Sequence, residues 1–278
     1  MPIRVDPKER WTLPAPLAER LDTFTRWPSQ NLHVSWQDPA DREMLTRLQA
    51  FGPAAAVFWH RAKSEALTAA HGLDDLPLPP LDPALARVVL LDATELTGLA
   101  CLCGATLQAP WIRASIRRDE LARWREALGE PLYTFAVRQA HRFHPIAGMT
   151  PQMLAIDGAQ DAHGGMGDGF GRSPIRQTVE AIGWQVLARF AARTPDAIGR
   201  RLALKLPVDA NAAAMIDPFP SAPPLAIGHA QAAPSLLPAL LPAAPALNRL
   251  SDADLLAFLA ALTTCLDAPW LSTFDTLP

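Results

Sequence analysis

The stretch from Leu96 to Phe143, LTGLACLCGATLQAPWIRASIRRDELARWREALGEPLYTFAVRQAHRF, limits the fold more than any other part of the chain. Its first half carries Leu96, Leu99, Ala100, Leu102, Cys103 and Leu107. A helix from Thr94–Glu95 to about Gln108 would be apolar nearly all round, so other elements must enclose it. Pro110 is expected to break that helix, because proline removes a donor and crowds the preceding turn. Beyond it, Trp111, Ile112 and Ile116 stay apolar beside Arg113, Arg117 and Arg118. Asp119 can cap a helix through Leu121, Trp124, Arg125 and Leu128, closed by Gly129, where a left-handed backbone suits glycine. Pro131 restarts a helix through Leu132, Tyr133, Phe135, Ala136 and Val137, ending near His144–Pro145.

The same helical spacing runs through most of the chain. Leu17, Leu21 and Phe24 predict a short helix near 15–25, and Trp11, Trp27 and Trp36 are expected to pack back on the domain, with anchoring of a partner as the alternative. Asp38-Pro39 opens a helix whose buried face is Met44, Leu45 and Leu48, and Gly52-Pro53 ends it. A second helix follows from about Ala54 to His71, with Val57, Phe58, Ala62 and Leu67 inward. Asp82-Pro83 repeats the start signal. Leu85, Val88, Val89 and Leu91 then suggest a short buried helix, although the VVLL run also suits a strand. Residues 146–173, dense in glycine at 158–171, predict a loop. A helix resumes at Pro174 with Ile175, Val179, Ile182, Val186, Leu187 and Phe190 on one face, and another runs from Asp196 to Pro207. Ser251–Asp254 caps an amphipathic helix bearing Leu255, Phe258, Leu259 and Leu262.

These patterns predict a mainly α protein: a single compact multi-helix domain with a flexible proline-rich C-terminal extension ending in one amphipathic helix. The expected boundaries are an N-terminal segment over 1–29, a helical domain over 30–207, a Pro/Ala-rich linker over 208–250, and a helix and tail over 251–278.

With 278 residues, 49% hydrophobic and 19% charged, the chain can bury a sizeable core. A formal net charge of −3 supplies no overall pull toward nucleic acid. Three cysteines, Cys101, Cys103 and Cys265, argue against a disulfide framework. MPIRVDPKERW is not a signal peptide, and no uninterrupted apolar run approaches the ~20 residues that span a bilayer. A soluble, cytoplasmic protein is expected.

The search for chemistry yields little. Cys101-Leu-Cys103 with His141 and His144 has poor geometry for zinc, since thiols two apart on a helix diverge. The glycines at 164–171 lack the Lys-Ser/Thr ending of a phosphate loop. Ser115, Ser173 and Ser251 sit in no nucleophile-elbow context. No catalytic residue, cofactor or metal is expected. What remains is the basic group Trp111, Arg113, Arg117, Arg118, Arg123 and Arg125, a candidate partner-binding surface. Local pairing with Asp119, Glu120 and Glu126 on a solvated helix face is the plainer reading for any single arginine. An enzyme with a scattered active site and a helical RNA-binding module are the other classes open at this point.

The order and spacing of Gly104-Ala105, Ile112-Arg113, Ile116, Leu128-Gly129-Glu130, Tyr133 and Phe135-Ala136 resemble the SctK/YscK family. These are accessory proteins of the type III secretion sorting platform, with OrgA and MxiK among the relatives. Arg200-Arg201-Leu202-Ala203-Leu204-Lys205-Leu206-Pro207 resembles the end of that family's domain, and Phe58-Trp59 is a weaker match. The resemblance implies a non-enzymatic adaptor on the cytoplasmic side of the injectisome base. It would join the SctD-type inner-membrane ring protein to the SctQ-type pod protein, near the SctL-type stator. It implies no nucleic-acid partner, and contact with the membrane only through the ring. The family pattern does not account for the glycine-rich stretch 158–171 or for the residues after 207.

Overall fold

Prolines and short capping residues set where the helices begin. Asp38 and Asp82 each accept a hydrogen bond from the amide two residues on, at 2.8 Å, with proline in the first turn. Asp92 and Glu95 form a reciprocal box. Asp92 Oδ1 accepts from the amides of Thr94 and Glu95, while Glu95 Oε2 accepts from the amide of Asp92 at 2.8 Å. Ser251 Oγ accepts from the Asp254 amide at 3.1 Å. Gly52 and Gly129 close helices with φ of 122° and 74°, a region that side chains disfavour.

The computed structural model describes residues 13–74, 76–143, 173–213 and 250–276. The α-helices are α1 (Ala15–Arg26), α2 (Pro39–Phe51), α3 (Pro53–Ala70), α4 (Pro83–Val89), α5 (Ala93–Ala114) and α6 (Arg118–Leu128). They continue as α7 (Glu130–Arg138), α8 (Pro174–Arg193), α9 (Asp196–Ala203), α10 (Val208–Ala213) and α11 (Asp252–Thr263). Short 3-10 segments lie at Pro28–Gln30, Val34–Trp36, Ala140–Arg142 and Pro269–Thr276. No β-strand occurs among the described residues, so the mainly α expectation holds, and the VVLL run is the end of helix α4 with its C-cap Leu90, not a strand. Trp11, the glycine-rich stretch 158–171 and residues 214–249 lie outside the described residues.

The backbone divides into two compact units. The first takes 1–96, 188–235 and 267–278, and the second takes 97–187 and 236–266. In the first, Leu17, Leu21 and Phe24 of α1 are buried with Val88, Val89, Leu91, Ile198 and Leu202. Leu32, Leu73 and Leu204 make a further cluster, against which Trp36 and Leu67 pack. Trp36 also donates from its indole to the Leu206 carbonyl at 2.8 Å, and Trp27 donates to Asp22 at 3.2 Å. In the second unit, Leu99, Cys103, Ile112, Trp124, Leu128, Val179, Trp184 and Leu187 are buried. α11 adds Leu255, Phe258, Leu259 and Leu262 to that core.

Four expectations need correcting. Pro110 does not break its helix: α5 continues to Ala114. A mid-helix proline costs about 3 kcal/mol. Leu107, Ala109 and Ile112, all buried on either side of it, offset that cost by keeping the helix in the core. Met44, Val57, Phe58 and Ala62 do not face inward but lie exposed, and α2 has no buried residue at all. Asp119 is not the cap of α6. Arg117 holds that position and Asp119 sits in the first turn. Helix α7 stops at Arg138, not near His144, and a 3-10 turn follows.

Candidate protein-interaction surface

The basic group spans the end of α5, the connection to α6, and α6 itself, all in the second unit. Ile116 stands in that connection with 91% of its surface exposed. Arg113, Arg117 and Arg118 flank it in sequence and are exposed as well. Arg113 reaches back to the Ala109 carbonyl at a long 3.4 Å. Arg117 lies 3.5 Å from Asp119 and 3.9 Å from Glu120, with 74% of its side chain in water. Pairs this exposed hold their partners weakly, so Arg117 remains available to an incoming carboxylate.

The helical period divides the rest of the group. Arg118 and Arg125 are seven apart on α6 and fall about 20° from one another, whereas Arg123 falls about 140° from Arg118. Arg125 is 3.2 Å from Glu130, and its guanidinium stacks over the Tyr133 ring at 5.2 Å. Arg123 is exposed on a different side of α6 and does not extend the patch. Trp124, between the two, is buried and anchors α6 to the core. Trp111 is half-buried, and its indole N–H is enclosed without a hydrogen-bond acceptor among the described residues. The arrangement is an exposed aliphatic side chain flanked in sequence by exposed arginines. It can bury Ile116 in an apolar socket while the arginines meet carboxylates around the rim.

The first unit holds a polar centre that sequence reasoning missed. Arg20 of α1 grips Glu95 with both guanidinium nitrogens, the Nη2–Oε1 distance being 2.8 Å, and lies 3.6 Å from Asp92. Trp270 donates to Glu95 Oε1 at 2.9 Å, and its ring covers the Arg20 guanidinium at 4.3 Å. Lys205 is buried, donates to the carbonyls of Val89 and Leu91, and faces the Phe24 ring at 4.8 Å. Arg201, also buried, donates to the carbonyls of Ala197, Leu73 and Leu76. In the Arg200–Pro207 run, Arg201 and Lys205 thus donate to loop and helix carbonyls, Lys205 to those of Val89 and Leu91 at the end of α4. Glu95 carried a local signal, the Asp92–Glu95 box. Arg20 and Trp270 are 75 and 175 residues away from it and carried none.

Other reactive side chains are similarly occupied. Ser29 Oγ lies 3.0 Å from His60 Nδ1 and 2.8 Å from Ser64 Oγ, and it donates to the His60 carbonyl at 2.9 Å. Both hydroxyls are buried, and burial lowers the His60 pKa. The cluster fastens α3 to the Pro28–Gln30 turn. Cys101 and Cys103 are buried, and burial pushes the Cys103 thiol far above its ordinary range. His141 is exposed and His144 lies outside the described residues. Among the described residues no group of three or more His, Cys, Asp or Glu side chains is placed to hold a metal ion. No single described helix is long and apolar enough to cross a membrane. The chain matches no family model, no curated protein and no solved structure.

Proposed function

We propose that the chain is a non-enzymatic adaptor of the type III secretion sorting platform, of the SctK/YscK kind. It holds the SctD-type ring protein and the SctQ-type pod protein together on the cytoplasmic side of the inner membrane, beside the SctL-type stator. The observation that carries this reading is the order and spacing of the residues from Gly104 to Ala136 together with Arg200–Pro207. A mainly α fold suits that family, and the Ile116–arginine patch suits a protein-binding role. Several copies around a ring would add avidity to individually modest contacts.

The test is direct binding of the full chain to purified pod protein and to the cytoplasmic domain of the ring protein from the same genome. Binding to both supports the adaptor; a folded, monodisperse chain that binds neither removes it. Charge reversal at Arg117 and Arg118 is expected to weaken one of the two interactions at least about tenfold and to leave the melting temperature unchanged. Unaltered affinity for both partners would take the patch out of the interface.

A further inference from the structure

In the α2–α3 hairpin, sequence pattern and burial disagree sharply. Met44, Leu48 and Phe51 recur at helical spacing and Val57-Phe58 follow, a pattern that normally marks a covered face. Yet Phe51 is 85% exposed, Phe58 75%, Val57 53% and Met44 48%. The hairpin is not loose. Lys63 pairs with Asp41 across the two helices, Ser64 is buried against Ser29, and Leu67 packs on the Leu32–Leu73–Leu204 cluster. A fixed hairpin that leaves four large apolar side chains in water marks an interface.

We propose that this hairpin docks on the hairpin of a second copy of the chain, α3 against α3, antiparallel about a two-fold axis. The charges on the exposed middle of α3 favour that occupant. Arg61 and Glu65 lie one turn apart, with an N–O distance of 3.1 Å and both side chains about as exposed as each other at 70% and 69%. An antiparallel two-fold axis between them sets Arg61 opposite Glu65 of the second copy, and the reverse, so the face is complementary to itself. The same register lays Phe58 over the stretch 66–70 of the second copy, where Ala66, Ala69 and Ala70 are exposed and small enough to admit a ring. Across the hairpin, Asp38, Asp41, Glu43 and Glu65 balance Arg42, Arg47, Arg61 and Lys63. Two copies therefore approach without net repulsion. The same neutrality removes the positive excess that an anionic lipid surface or a nucleic acid would require.

Sedimentation velocity on the full chain over a range of concentrations tests this. A reversible dimer is expected. Phe58→Glu should raise its dissociation constant at least about tenfold. Arg61→Glu should weaken it severalfold by setting Glu against Glu, and adding Glu65→Arg should restore it. All three positions are exposed, and circular dichroism checks that each variant is folded. A chain that stays monomeric at every concentration overturns the inference, as does a dimer indifferent to Phe58→Glu. So does a charge-swapped double variant no better than the single. A monomer that instead sediments with anionic vesicles through Phe51 and Phe58 also overturns it, in favour of lipid. The dimer is independent of the adaptor reading, because pod and ring binding can fail while self-association stands.

Discussion

At the residue scale, Lys205 links the fold to pH. Burial lowers its pKa from 10.5 to about 7, helped by the nearby Arg20 and opposed by Asp92 and Glu95. Between those two values the unfolded chain binds more protons than the folded chain, so stability increases as pH rises through this range. The slope for one such group is at most about 1.4 kcal/mol per pH unit. Burial also lowers the pKa of His60 and His71, which acts in the same direction, but their ordinary value of 6.5 places most of that contribution below pH 7, so above pH 7 Lys205 dominates the slope. Urea unfolding at pH 7 and pH 8 should show the gain, and Lys205→Met should abolish it; an equal slope in that variant would place its origin elsewhere. Glu95 is a different case, since it accepts from Arg20, Trp270 and the Asp92 amide together. Glu95→Ala should cost roughly 3 kcal/mol, because the shielded guanidinium keeps only the Leu90 carbonyl and the longer Asp92 pair. Trp270→Phe, which keeps the ring over Arg20 but loses the N–H, should cost only about 1 kcal/mol. The same unfolding assay ranks the two, and the reverse order would mean that the indole N–H and its packing matter more than the carboxylate it meets.

At the element scale, α5 and α8 meet in the second unit at two glycines. A Cβ on Gly104 would lie 1.8 Å from the Val179 carbonyl oxygen, and one on Gly183 would lie 1.8 Å from that of Ala100. Neither backbone can yield without separating the helices. Gly104→Ala is therefore expected to cost about 3 kcal/mol or more, as overpacking against main chain does. Gly98→Ala meets only the end of the Leu266 side chain, at 3.1 Å, and should stay within about 1 kcal/mol. Thermal melts of the two variants decide, and equal losses would mean that the helices can shift apart. Signals confined to a few neighbouring residues were legible in the sequence: the caps at Asp38, Asp82 and Ser251, and the stop at Gly129. The local preference of Pro110 to end a helix is outweighed by the burial of Ala109 and Ile112, which depends on elements far along the chain. Phe58 lies exposed despite its helical spacing, because periodicity shows that a face is apolar and not what covers it. The arginine group was legible as exposed charge, but its composition alone did not separate Arg123 from Arg118 and Arg125. That required the register of α6.

At the scale of the whole molecule, the first unit is assembled from pieces far apart in sequence. Its α1 carries Arg20, the first turn of α5 carries Glu95, and Trp270, Leu271 and Phe274 complete it as buried side chains. Arg87 also pairs with Asp275 at 2.7 Å and lies 5.2 Å from the Phe274 ring. Deleting residues 267–278 should therefore lower stability by at least about 3 kcal/mol, the scale of emptying a site filled by a large aromatic residue. A truncated chain that unfolds at the same urea concentration as the full chain would show that these residues only cover the surface. One consequence concerns synthesis. A ribosome passes residue 95 long before it reaches residue 270, so a nascent chain has Arg20 and Glu95 without their indole cover until residue 270 has been made. Contacts that span so much sequence close late. Until they do, this unit cannot close over its polar centre, and its folding is coupled to synthesis of residues 267–276 rather than to emergence of its N-terminal helices.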